Sequence, residues 1–92
     1  MKFEIVYHEL VVQDDIPRLA PSLKKRVKKA IETKLTSHPE QFGKPLRRSL
    51  NGYRKLRVGD YRVVFRIDGQ IIKIFLIQHR SVVYKNSWKR ID

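Results

Sequence analysis

The stretch Tyr53-Arg54-Lys55-Leu56-Arg57-Val58-Gly59-Asp60-Tyr61-Arg62-Val63-Val64-Phe65-Arg66-Ile67 decides how this chain folds. It reads as two short strands around the two-residue loop Gly59-Asp60. Glycine at the first loop position suits a type II′ turn, because that position needs a positive φ. A two-residue loop sets the register. Val58 then faces Tyr61, Arg57 faces Arg62, Leu56 faces Val63, Lys55 faces Val64 and Tyr53 faces Arg66. Side chains alternate faces along a strand. One face therefore carries Leu56, Val58, Tyr61, Val63, Phe65 and Ile67, and reads as core. The other carries Tyr53, Lys55, Arg57, Arg62, Val64 and Arg66, a cluster of cations beside an aromatic ring. Like charges placed directly opposite each other, here Arg57 and Arg62, destabilise a strand pair. An anion on that face turns the repulsion into binding energy, and the expected anion is a nucleic-acid phosphate.

A second hairpin is expected at Asp68-Gly69, a type I′ signal between β-rich runs. That loop pairs Ile67 with Gln70, Phe65 with Ile72, Val63 with Ile74 and Tyr61 with Leu76. Ile72, Ile74 and Leu76 then join the core face. Ile71, Lys73, Phe75 and Ile77 join the basic face, with His79 at the same parity. A strand apolar on both faces belongs in the middle of a sheet.

The remaining chain supplies the other layers. Phe3, Ile5 and Tyr7 alternate and predict a first strand at a sheet edge. Val12, Ile16 and Leu19 have helical spacing, interrupted at Asp15-Pro17, where Asp14 or Asp15 is placed to cap a second turn. A helix starts at Pro21 or Ser22 with the apolar stripe Leu23, Val27, Ala30, Ile31 and Leu35, and ends before Pro39. Its exposed faces hold Lys24, Lys25 and Lys28. Residues 39–52 read as a loop anchored by Phe42 and Leu46, bringing Lys44, Arg47 and Arg48 beside the basic face. Lys85 to Ile91 reads as a short C-terminal helix packed by Trp88 and Ile91. The expected fold class is α+β. An N-terminal strand and a helical hairpin pack on a roughly four-stranded antiparallel sheet, with a short C-terminal helical segment. Residues 1–92 form a single domain in this reading.

Composition narrows the function. The chain has 92 residues, no cysteine and a net charge of +12. Disulfides and cysteine chemistry are excluded, and so large an imbalance favours polyanionic partners. Residues 41–67 hold eight Lys or Arg against the single acid Asp60, whereas four of the nine acidic residues lie in the first 15 positions. No signal-type segment and no run of roughly 20 apolar residues is present, so a cytoplasmic protein without membrane partners is expected. The three histidines are scattered and no acidic cluster accompanies them, so no metal and no small-molecule cofactor is expected.

The remaining chemistry is cationic. RNA can be cut by its own 2′-OH, which attacks the adjacent phosphate and leaves a 2′,3′-cyclic phosphate. Arg and Lys stabilise the charge that accumulates on phosphorus, and one preorganised donor is worth about 2.7–4 kcal/mol. A general acid or base adds roughly 10²–10⁴-fold, and histidine suits either role. Tyr53 can stack on a base, Arg66 and Lys73 can hold phosphates, and the helix lysines offer a second phosphate-contacting surface.

Gly52-Tyr53-Arg54-Lys55-Leu56-Arg57-Val58-Gly59-Asp60-Tyr61-Arg62-Val63-Val64-Phe65, followed by His79-Arg80-Ser81-Val82-Val83-Tyr84, resembles the RelE/ParE toxin superfamily. The resemblance extends over nearly the whole chain, including the loop Pro39 to Arg47. It implies a small α+β toxin held inactive by a cognate antitoxin. Its RelE branch cleaves mRNA in the ribosomal A site as a metal-free endoribonuclease, so the implied partners are ribosome and mRNA. Carried over by position, Arg62 matches a phosphate-stabilising arginine, and Lys55 and Arg57 match basic residues of the preceding strand. Arg80 and His79 fall on the basic segment before the closing tyrosine, and Tyr84 on that tyrosine. The alternative within the superfamily is a ParE-like inhibitor of DNA gyrase without nuclease activity. The closing tyrosine resembles the RelE branch.

Overall fold

The hairpin around Gly59-Asp60 forms as its residues dictate. The computed structural model describes residues 3–42, 44–45 and 52–90, with Phe42, Lys44, Pro45 and Trp88 described by their backbone alone. Strands β3 (Tyr53–Val58) and β4 (Tyr61–Asp68) pair antiparallel with Val58 opposite Tyr61, Arg57 opposite Arg62 and Tyr53 opposite Arg66. Gly59 takes φ +60°. A Cβ at Gly59 would lie 3.1 Å from the end of the flexible, exposed Arg26 side chain, so the positive φ of the turn is what calls for glycine.

Strand β5 (Ile71–His79) lies between β4 and the edge strand β1 (Glu4–Tyr7), and the two-residue β2 (Lys44–Pro45) closes the far edge. The sheet order is β1-β5-β4-β3-β2. β5 is interior, with a strand on either side, as its two apolar faces required. The antiparallel expectation holds for β2 to β5, while β1 joins β5 in parallel.

The register of β5 on β4 differs from expectation in two ways. The loop is Gly69-Gln70 rather than Asp68-Gly69, since Asp68 pairs with Ile71. Glycine again holds the first loop position, at φ +62°, and the shift lets Asp68 reach Lys73 at 3.3 Å. Further along, Phe65 pairs with Ile74 but Val64 pairs with Leu76, so Phe75 is an extra residue in a β-bulge. Beyond the bulge every side chain changes face. Leu76 leaves the helix side and packs with Val64, Val83, Tyr53 and Phe75. Ile77, expected on the basic face, enters the main core instead.

That main core lies between the sheet and the helical layer. Helix α1 (Pro21–Ala30) runs on through wider π-type turns over Ile31–Leu35. Its stripe buries Val27, Ile31 and Leu35 against Leu56, Val63, Phe65, Ile72 and Ile74. Burying one such side chain contributes about 1.5–3 kcal/mol. The segment after β1 forms helical turns over Val11–Asp15 and Ile16–Arg18, with Pro17 inside the second. Asp15 does not cap that turn with its side chain. Pro39–Phe42, expected as loop, forms a short helix α2. The proposed anchors Phe42, Leu46, Trp88 and Ile91 fall outside the described side chains. No helix among the described residues is long and apolar enough to cross a membrane.

Helix α3 (Val83–Arg90) crosses the other side of the sheet. Val83, wholly buried, packs on Val64 and Leu76, also wholly buried. The apolar floor of the basic face is thus roofed by the chain's own C-terminal helix.

Candidate nucleic-acid interface

The cationic face is built on β3 and β4 and bordered by α3. Arg57 and Arg62 stand opposite each other across the two strands. Arg57 is exposed and Arg62 half-buried. The Arg62 guanidinium is held at the hairpin turn, where Nη1 donates to the carbonyls of Gly59 at 3.0 Å and Tyr61 at 2.9 Å. Two bonds from one nitrogen give this cation a set position, and like-charge pairing with Arg57 is the kind of unfavourable cross-strand contact that an anion relieves.

Lys55 faces the first turn of α3. Its Nζ donates to the Tyr84 hydroxyl at 3.0 Å and lies 5.2 Å from the ring centroid. Tyr84 is 38% exposed, so its ring is open to a ligand while its oxygen is tied to the sheet. Further along the same face Tyr53 packs edge-on against Phe75, with ring centroids 5.0 Å apart. Arg66 lies over the Tyr53 ring at 5.7 Å, an arrangement that leaves the cation exposed while its neighbour is half-buried. Lys73 is paired with Asp68, both of them well exposed. Surface pairs of this kind are worth about 0–1 kcal/mol, so Lys73 remains available to a competing anion.

Other expected members stand off this face or at its end. His79 lies opposite Tyr61 on the helix side of the sheet, because the bulge at Phe75 reverses its parity. Its ring packs edge-on to Tyr61 at 5.5 Å. Its Nδ1 accepts the Ser81 backbone N–H at 3.1 Å and lies 2.8 Å from the Ser81 hydroxyl. The structure therefore does not bring His79 to the Arg57–Arg62 face. Arg80 follows β5 at the turn end of the first hairpin, where its backbone N–H donates to the Asp60 carbonyl at 2.8 Å. Its side chain is exposed. Lys24, Lys25 and Lys28 are exposed on α1, across the sheet from Lys55. Lys24 and Lys28 rim a cavity of about 250 Å³ that Tyr7, Leu19 and Ile77 line. Burial, followed by the charge of Glu32, raises the Tyr7 phenol above its ordinary value. Lys44 sits in β2 opposite Lys55, while Arg47 and Arg48 lie outside the described residues.

Sequence reasoning missed a polar cluster at the border of this face. Asp15, only 4% exposed, accepts from the Ile77 backbone N–H at 2.9 Å, from Gln78 Nε2 at 3.1 Å and from Arg90 at 2.6 and 3.2 Å. Asn86 Nδ2 in turn donates to Gln78 Oε1 at 2.6 Å. These residues are far apart in the chain, and no local pattern distinguishes Asp15 from its exposed neighbour Asp14. Among the described residues, no group of three or more His, Asp or Glu side chains is arranged to hold a metal ion.

A mixed sheet with helices on one side, a cationic strand pair on the other and a terminal helix laid over it defines a class of small basic α+β proteins. Comparison with known proteins places the chain within that class. Residues 3–84 match the sequence profile of the ParE toxin of type II toxin-antitoxin system, parDE. Toxin RelE of Mycobacterium tuberculosis is 36% identical over 73 residues, which span 77% of this chain and 75% of that protein. Toxin RelG of the same organism is 34% identical over 73 residues, spanning 77% and 84% respectively. The solved toxin-antitoxin complex RelBE2 from M. tuberculosis contains a chain that superposes with a TM-score of 0.80 at 29% identity, over 87% of this chain and all of that one. A mutant of the E. coli toxin RelE in the free state superposes with a TM-score of 0.75 at 18% identity over the full length of both, a likeness of fold. The chain belongs to the ParE toxin family of type II toxin-antitoxin systems, within the RelE/ParE superfamily, and is RelE-like.

Proposed function

We propose that this toxin is an endoribonuclease that cuts ribosome-bound mRNA, and that a cognate antitoxin holds it inactive. The observation that carries the reading is the Lys55–Tyr84 hydrogen bond beside the opposed pair Arg57 and Arg62. In this reading Arg62 and Arg57 clasp the scissile phosphate. The substrate 2′-OH loses its proton to a base, and its oxygen bonds to phosphorus. The P–O5′ bond breaks, the 5′ oxygen takes up a proton, and a 2′,3′-cyclic phosphate remains. An arginine held in place before the reaction, as Arg62 is by its own turn, favours the extra charge of the transition state over the ground state. Lys55 and Tyr84, hydrogen-bonded at the edge of the clasp, are placed to carry one of the two proton transfers. The exposed Tyr84 ring, or that of Tyr53, offers a stacking surface for a base. Arg80 lies at the hairpin end of the face and extends its charge.

The antitoxin reading is supported by the family and by neighbours solved as RelB–RelE complexes. An acidic partner segment complements a chain of net charge +12. The test is induction in cells followed by mapping of mRNA 5′ ends. Cuts within translated codons are expected. Intact mRNA together with arrested DNA supercoiling would instead favour the ParE-like gyrase inhibitor.

A further inference from the structure

We propose that Asp15 and Arg90 form a buried latch that sets the position of α3, making both of them positioning residues for Tyr84. The proposal rests on the nuclease reading for its rate effect, and on geometry alone for the latch.

Helix α3 has eight residues, too few to be stable in water without tertiary contacts. Its first turn is held by an apolar contact, Val83 on Val64 and Leu76. Such a contact resists withdrawal but is non-directional, and the bond from Lys55 to Tyr84 in the same turn is a single exposed hydrogen bond. Its middle is tied by Asn86 to Gln78. Its last turn is tied by Arg90, whose guanidinium grips both oxygens of Asp15. Nη1 of Arg90 also donates to the Phe75 carbonyl at 2.9 Å. A forked guanidinium–carboxylate contact fixes direction as well as distance.

The latch sits where β5 has lost its neighbour. β1 pairs with β5 only as far as Tyr7 opposite Ile74, while β5 continues to His79. In that unpaired stretch Asp15 takes the Ile77 N–H and Arg90 supplies a donor to the Phe75 carbonyl. The two side chains thus tie the bulged strand, the turn after β1 and α3 into one body. Their side chains are 2% and 10% exposed. A buried carboxylate that loses its cation is strongly unfavourable, so withdrawal of α3 strands Asp15. A buried ion pair is weak evidence for stability but can specify one arrangement among several. Here the specified quantity is the orientation of α3. Arg90 lies about 9 Å along the helix axis from Tyr84, at 1.5 Å per residue. A swing of that end moves the Tyr84 oxygen relative to Lys55 and to the arginine pair, and a displacement near 1 Å can cost about a hundredfold in rate.

The experiment compares Asp15→Asn, Arg90→Met and Arg90→Lys with the wild-type chain. Single-turnover mRNA cleavage is measured across ribosome concentration, and hydrogen exchange is followed at α3 and at β4 amides. The first two variants should lose roughly ten- to a hundredfold in the saturating rate, with the half-saturating ribosome concentration unchanged. Their α3 amides should exchange faster while those of Val63 and Phe65 stay protected, which shows that the sheet is intact. Arg90→Lys keeps the charge but not the fork and should fall between. Wild-type α3 protection in Asp15→Asn and Arg90→Met would overturn the latch, and so would a loosened α3 with an undiminished rate. A wild-type chain that cleaves nothing would refute the nuclease reading, and the exchange results would then decide the latch by themselves.

Discussion

Lys55 and Tyr84 are 29 positions apart in the chain and meet at 3.0 Å across the cationic face. The contact joins the middle of β3 to the first turn of α3. It is the polar contact between the sheet and the terminal helix that lies beside the arginine pair. Removal of the hydroxyl alone, in Tyr84→Phe, keeps the ring for stacking. Cleavage should fall by roughly 10²–10⁴-fold if the hydroxyl carries a proton. Stability should change by about 1 kcal/mol or less. Single-turnover cleavage beside urea unfolding measures the two effects separately.

The turn that sets the register should be weakened by a side chain at Gly59. Gly59→Ala places a Cβ at φ +60° against the Arg26 guanidinium. The left-handed conformation alone costs about 1–2 kcal/mol. The urea midpoint should drop accordingly, with the slope of the transition unchanged.

Tyr7 predicts a feature of the alkaline limb. Its pKa is raised in the fold by burial, then by Glu32, so the folded state prefers the neutral phenol. Its contribution is complete below the unfolded value, about 10, and is lost as the pH climbs through the higher folded value. Tyr7→Phe should therefore lose less stability than wild type as the pH rises from about 10 to the folded pKa, a window that chemical unfolding at about half-unit pH steps can resolve.

The lysines of α1 lie across the sheet from the site and should act only through charge. Replacing Lys24, Lys25 and Lys28 by Gln should weaken ribosome binding and flatten its salt dependence, by a slope of roughly 0.7–0.9 for each phosphate no longer neutralised. The cleavage rate at saturating ribosome should be unchanged. Pelleting assays at several salt concentrations supply the slope.

The parts of this molecule that could be read in advance are those governed by local rules. Every expected pair from Val58–Tyr61 to Tyr53–Arg66 is present, because a two-residue loop with glycine first leaves little choice of register. The stripe Val27, Ile31 and Leu35 is buried as its spacing required. The second hairpin was harder. Ile71 to Ile77 is apolar on both faces, so nothing in its pattern distinguishes one register from the next. The bulge at Phe75 carries no glycine or proline to announce it. That bulge moved Leu76, Ile77 and His79 to faces opposite those expected, and removed the histidine from the candidate site. The Asp15–Arg90 pair was illegible for a different reason: it joins two segments 75 positions apart, and only the fold brings them together.

Arg62 is the centre of the proposed chemistry. It is held by its own turn through the Gly59 and Tyr61 carbonyls and faces Arg57, so it can favour transition-state charge in a way that a mobile surface lysine cannot. The deciding measurement is single-turnover cleavage of mRNA on programmed ribosomes by Arg62→Ala, paired with ribosome pelleting. Cleavage should fall by about 10²–10³-fold, the loss typical of one preorganised donor, while binding is largely retained. Cleavage near the wild-type rate would show that the basic hairpin face is not where the chemistry occurs.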